Sequence, residues 1–129
     1  MKKLLYLLTF LYTLNSFALS FEQCQYEFDG SEVVTDDYMS CLNRSFVKIR
    51  HYFDLSPAEF KMCYNRDYSV VDIRYIDCIN ENIAKAATLF KVKLSYCPNY
   101  STEQLTGSFV GCVNYRFFKI EESLGSNSY

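Results

Sequence analysis

Cysteine is the residue type with the most chemistry to offer in this chain: Cys24, Cys41, Cys63, Cys78, Cys97 and Cys112. As thiolates they could attack an electrophile or hold zinc, and as pairs they form disulfides. No C-x2-C or C-x4-C spacing brings two ligands together, which argues against a metal site. Six paired cysteines leave no nucleophile. His51 is the only histidine, so neither a catalytic triad nor a His-based metal site has its partners. It reads as a surface residue near a helix end. The adjacent carboxylates Asp36-Asp37 and Glu121-Glu122 point about 100° apart on a helix, which suits solvated faces better than paired acid and base. There is no Gly-rich phosphate loop, no H-E-x-x-H and no G-x-S-x-G. The expectation is a protein that is not an enzyme and needs no cofactor. Asn43-Arg44-Ser45 and Asn99-Tyr100-Ser101 are N-glycosylation sequons. Asn99 falls in an expected loop, whereas Asn43 sits mid-helix at the edge of a core face and is the poorer acceptor.

The use of the cysteines depends on compartment, and residues 1–20 bear on that. Lys2 and Lys3 precede an apolar run from Leu4 to Leu14, followed by a polar break at Asn15-Ser16 and small residues. This is the pattern of a secretory signal peptide, with cleavage after Ser20 and cleavage after Ala18 as the close alternative. The run falls well short of the ~20 residues needed to cross a bilayer. Removing it takes Lys2 and Lys3 from the 13 basic residues, leaving 11 against 15 acidic, a net charge of −4. Mild acidity argues against nucleic acid as a partner, and no later stretch is apolar enough to insert stably in a membrane. In a secreted, extracellular chain an even number of cysteines reads as disulfides. The length of 129 residues allows one domain, taken as 21–129.

The elements that position the cysteines repeat. YMSCLNRSFVKI (38–49), YIDCINENIAKA (75–86) and FVGCVNYRFFKI (109–120) share one pattern around the second cysteine of each of three units. Tyr38, Tyr75 and Phe109 correspond, as do Asn43, Asn80 and Asn114, and Lys48, Lys85 and Lys119. The units run over about 24–53, 63–93 and 97–123, and such self-similarity marks internal duplication. At 100° per residue, the aromatic, the Cys and the aliphatic residues one, five and eight positions on fall within an arc of about 160°, bordered by Cys and Asn. That arc faces a core, so the motif aromatics are expected to pack beside a disulfide.

Capping boxes at Ser56-Pro57-Ala58-Glu59 and Ser101-Thr102-Glu103-Gln104, and a turn at Asp29-Gly30-Ser31, supply helix-start signals. Helices are expected at 32–53, 57–64, 69–93 and 102–123, with a short one at 21–27 and Gly125 ending the last. Strand-like alternation is absent. The fold is expected to be all-α, a small disulfide-stapled bundle of three helical hairpins. A bridge needs Cα atoms within about 7 Å, which a folded-back hairpin can provide. Among fifteen possible pairings the repeat favours Cys24–Cys41, Cys63–Cys78 and Cys97–Cys112, each closing a loop worth about 3 kcal/mol in the chain-entropy model.

The C-x3-C and C-x8-C spacings of insect odorant carriers and the opening C-x2-C of saposins are absent. Cys24…Tyr38-x-x-Cys41 and Cys63…Tyr75-x-x-Cys78 resemble the bicycle family, named for paired cysteine–tyrosine–cysteine motifs; the third unit departs from it with Phe109. The resemblance implies a salivary-gland protein of aphids and their relatives, delivered into plant tissue as an effector, including in gall formation. The expected function is then binding of a host macromolecule without catalysis. The alternative is a carrier of a small hydrophobic ligand, prompted by the 19 aromatics that remain beyond residue 20. Partner contact is expected from segments 26–37 and 64–72, with Asp29, Glu32, Asp36 and Arg66 as candidates, since connecting segments on a rigid scaffold commonly carry recognition.

Overall fold

Each helix of the protein starts two residues ahead of a motif aromatic. In the computed structural model, which describes residues 19–28 and 30–126, the helices are α1 (Asp36–Tyr52), α2 (Ile73–Phe90) and α3 (Gly107–Ser126). The expected signal peptide lies, but for its last two residues, outside the described residues, as does Asp29. Thr35 caps α1 by accepting from Tyr38 N–H at 3.2 Å. Thr106 caps α3 by accepting from Phe109 N–H at 3.1 Å. Asp72 caps α2, accepting from Arg74 N–H at 2.9 Å. A short oxygen-bearing side chain just outside the first turn satisfies a donor that has no partner within the helix.

The fold is all-helical, with no strand among the described residues, and it is stapled by three disulfides. Cys24–Cys41, Cys63–Cys78 and Cys97–Cys112 are the pairs, with Cα separations of 5.7, 5.7 and 5.8 Å. The core follows the expected arc. Tyr38, Tyr75 and Phe109, with the residues one, five and eight positions beyond each second cysteine, are all 3% exposed or less. Phe46 links the units through aromatic contacts, 5.8 Å from Phe60 and 5.7 Å from Phe117 between ring centroids.

The units are not helical hairpins. Neither 57–64 nor 21–27 is helical, and the first cysteine of each pair lies on a non-helical arm. Ser56 to Glu59 closes only a turn, in which Glu59 N–H meets the Ser56 carbonyl at 3.0 Å. The reason lies in what the arm must do. Cys63 donates its N–H to Asn43 Oδ1 at 2.8 Å, and its carbonyl accepts from Asn43 Nδ2 at 2.9 Å. A helix through Cys63 would have engaged both backbone groups internally. All three helices also start four or five residues later than expected, the third at Gly107. Ser101 Oγ still accepts from Glu103 N–H at 3.1 Å, but Asn99 holds the segment that follows in a loop. At the other end α3 runs through Gly125, while α2 stops where Lys91 turns into the left-handed region at φ 57°.

The Asn–Cys pairing occurs three times. Asn80 takes Cys97 in the same two-bond grip, at 2.6 and 2.9 Å. Asn114 takes Cys24, at 3.0 and 2.9 Å. Each helix therefore clamps the first cysteine of another unit: the first holds the second, the second holds the third, and the third returns to the first. That is a head-to-tail arrangement closed into a ring within one chain, the logic by which heterologous interfaces close cyclic oligomers.

Candidate functional site

The residues that repeat are consumed by this scaffold, so the surface available for recognition lies between them. The segment after Cys24 is pinned by Tyr26, whose hydroxyl donates to the Val33 carbonyl and whose ring meets Tyr38 edge-on at 5.8 Å. The segment after Cys63 wraps around Asn65. Its Nδ2 donates to the carbonyls of Asp67 and Val70 at 2.6 and 3.1 Å, and its Oδ1 accepts from Asp72 N–H at 2.7 Å. Asn99 does the same two residues after Cys97, with Ser101, Gln104 and Thr106 as partners. Buried or half-buried amides holding a loop from inside remove its freedom before any partner arrives.

Two faces result. The first is a groove of about 580 Å³ whose walls include Glu27, Glu32, Asp36 and Asp37, with no basic residue lining it. Glu32 and Asp36 thus line the same groove. The second face surrounds Arg66, which borders two grooves of about 340 and 670 Å³. Tyr64, Tyr68 and Ile73 stand around it, 59%, 67% and 61% exposed. Arg74 is paired with Asp72 at 3.0 Å, and the bonds to its side chain and N–H hold the Asp72 carboxyl below the usual carboxylate range. Asp67 is likewise lowered, chiefly by the Ser69 N–H. Arg66 and Arg74 share the lining with Asp67 and Asp72, and this face is more aromatic than cationic. The two faces adjoin where Val33 N–H meets the Tyr68 carbonyl at 3.1 Å.

A third feature lies at the carboxyl-terminal ends of the helices. Tyr52, Phe53, Leu89, Phe90, Val92 and Leu124 line an open groove of about 460 Å³. Within it the Phe53 and Phe90 rings meet edge-on at 4.9 Å.

Neither sequon offers an unengaged amide. Asn43 is buried and gripped on Cys63, and both N–H groups of Asn99 are spent on its own loop. Attaching a glycan at either would break bonds that shape the fold. His51 is exposed. Among the described residues no group of His, Cys, Asp or Glu is arranged to hold a metal ion, and no cysteine is free. None of the described helices is long and apolar enough to cross a membrane. Tyr26 escaped sequence reasoning because nothing in its unit announces a loop anchor, whereas Asn65 and Asn99 carried an unread signal, an Asn two residues after the first cysteine in two of the units. Asn43, Asn80 and Asn114 left a signal in their threefold recurrence at the border of the core arc. No protein-family model, curated protein or solved structure matches this chain.

Proposed function

We propose that this protein is a secreted, non-enzymatic effector whose loop face binds a host macromolecule. The observation that carries the reading is the division of labour just described. The repeated residues build the scaffold, and an acidic groove and an aromatic, Arg66-centred face stand side by side on loops already held rigid. Three disulfides support an oxidising, extracellular setting. The resemblance of the cysteine–tyrosine–cysteine layout to the bicycle family supports a salivary origin and action on plant cells during feeding or gall formation. The test is capture from host plant extract by the immobilised oxidised chain. Variants Glu32→Gln with Asp36→Asn, and Arg66→Ala, should keep their melting temperature and lose the captured partner. Capture that survives both variants, or the absence of any partner together with transcripts confined to a non-secretory tissue, would sink the reading.

The aromatic groove beside Tyr52, Phe53 and Phe90 favours a second reading, a carrier of a small hydrophobic ligand, since its volume is in the range of small-molecule sites. Native mass spectrometry of protein taken from its source decides it. A co-purified apolar mass lost on Phe53→Arg would favour the carrier, and a bare chain would dismiss it.

A further inference from the structure

Two of the three recurring lysines perform one task. Lys85 Nζ donates to the Glu59 carbonyl at 3.0 Å, one residue before Phe60 and four before Cys63. Lys48 Nζ donates to the Ser20 carbonyl at 2.9 Å, one residue before Phe21 and four before Cys24. In the third unit Lys119 turns instead to Glu122. Phe21 thus matches Phe60 in place, and its ring lies 4.9 Å from that of Phe117. Its N–H donates to the Glu121 carboxylate. The peptide group between Ser20 and Phe21 is therefore held at both ends, its carbonyl by α1 and its N–H by α3. Leu19, just ahead of it, is half-buried and packs against the core. The arm of the first unit accordingly begins no later than Leu19.

Two cuts satisfy the small-residue rule of a leader peptidase, one with Ser16 and Ala18 at its −3 and −1 positions and one with Ala18 and Ser20. We infer that the leader is removed at the first, between Ala18 and Leu19, two residues ahead of the cut expected from the sequence; the inference rests on the secreted reading above. Water adds across that peptide bond, leaving a carboxylate on Ala18 and an ammonium on Leu19. A cut after Ser20 would discard an apolar side chain that the core uses and the acceptor that Lys48 employs as Lys85 employs Glu59. It would also create an ammonium at Phe21 within about 5 Å of Lys48 Nζ, because the oxygen and nitrogen of a peptide group share one carbon. Glu121 would gain an ion pair, but Lys48 would lose its acceptor and face a like charge. Glu22, next in the chain, is already paired with Arg44 at 2.7 Å. With Leu19 first, the peptide group between Ser20 and Phe21 stays neutral and keeps both of its bonds.

The test is to express the full 129-residue chain under its own leader in a secreting eukaryotic cell line and to read the intact mass and first residue of the product in the medium. The first residue should be Leu19. A start at Phe21, or at any other residue, overturns the proposal and leaves the secreted reading standing. A chain kept inside the cell with its leader attached sinks the secreted reading and the proposal together. A second measurement asks whether Leu19 and Ser20 belong to the fold. The oxidised chain lacking both should melt lower than the chain that begins at Leu19, by about 4 °C. A melting temperature as high or higher in the shorter chain overturns the proposal.

Discussion

Tyr75 and Tyr38 bury their hydroxyls in the same core, and neither finds a hydrogen-bond partner among the described residues. Burial, and secondarily the nearby Tyr38 phenol, pushes the ionisation of Tyr75 well above the ordinary tyrosine range. Burial alone does the same to Tyr38. The third unit shows what the scaffold itself requires, since Phe109 fills the equivalent place with no hydroxyl and is 0% exposed.

Tyr38→Phe and Tyr75→Phe should therefore each stabilise the fold, by about 1–2 kcal/mol, the cost of desolvating an unpaired hydroxyl. Urea denaturation at neutral pH measures it. Tyr75→Ala, which also opens a cavity, should instead cost about 3–5 kcal/mol.

The same pair predicts an alkaline weakness. A folded-state pKa raised above the unfolded one contributes stability that is fully present below the unfolded value, about 10 for tyrosine, and is lost as pH rises beyond it. Melting temperatures followed from pH 8 to 11 should fall at the top of that range, and less steeply in the Tyr38→Phe, Tyr75→Phe double variant.

Asn80→Ala should cost about 2–4 kcal/mol, because it removes two hydrogen bonds and leaves the N–H and C=O of buried Cys97 unpaired. Asn114→Ala should cost less, since Asn114 is only half-buried and water can take over part of its role. Thermal unfolding of the two variants gives the order.

Much of this was legible in the sequence. The triple recurrence of YxxC, FxxC and the following aliphatics was enough to give the three bridges, the three long helices and their buried faces, because one arc of side chains had to serve the same packing three times. The arms were not legible. Ser56-Pro57-Ala58-Glu59 carries a true local preference for a helix start, and tertiary demand overrode it, since Cys63 had to present its backbone to Asn43. The grooves were half legible. The acidity of the segment holding Glu32 and Asp36 could be read from charge alone, but the ion pair that quietens Arg74 depends on where Asp72 caps its helix.

Helix caps offer a prediction that separates shape from charge. Thr106→Ala should destabilise by about 1 kcal/mol through the lost bond to Phe109 N–H. At Asp72 the effect depends on pH. Its folded pKa is depressed, so its contribution is present above the unfolded value near 3.8 and is lost as pH falls through the folded one. Asp72→Asn should keep the cap and flatten the acid limb of the stability profile, as read by circular dichroism from pH 5 to 2.

Ser45 offers the smallest test. Its hydroxyl is buried without a partner, while the residues at its place in the other units reach the backbone of their own arms: Asn82 the Lys61 carbonyl at 2.7 Å and Arg116 the Ser95 carbonyl at 3.0 Å. Ser45→Ala should leave stability unchanged or raise it by up to about 1 kcal/mol, and a loss greater than that would show that the hydroxyl is satisfied in solution.

The ring of Asn–Cys grips also imposes an order in time. Asn43 precedes Cys63 by 20 residues and Asn80 precedes Cys97 by 17, so each of those arms is synthesised with its clamp already in place. Cys24 is different: its clamp, Asn114, lies 90 residues downstream. At ribosomal rates the amino-terminal arm waits roughly 5–20 s for it, with a backbone donor and acceptor uncovered, even though its bridge partner Cys41 follows by only 17 residues. The last helix to be made is thus the latch for the first arm, and a nascent chain interrupted anywhere before residue 114 leaves the ribosome as an open ring, recognisable as unfinished by the edge it still exposes.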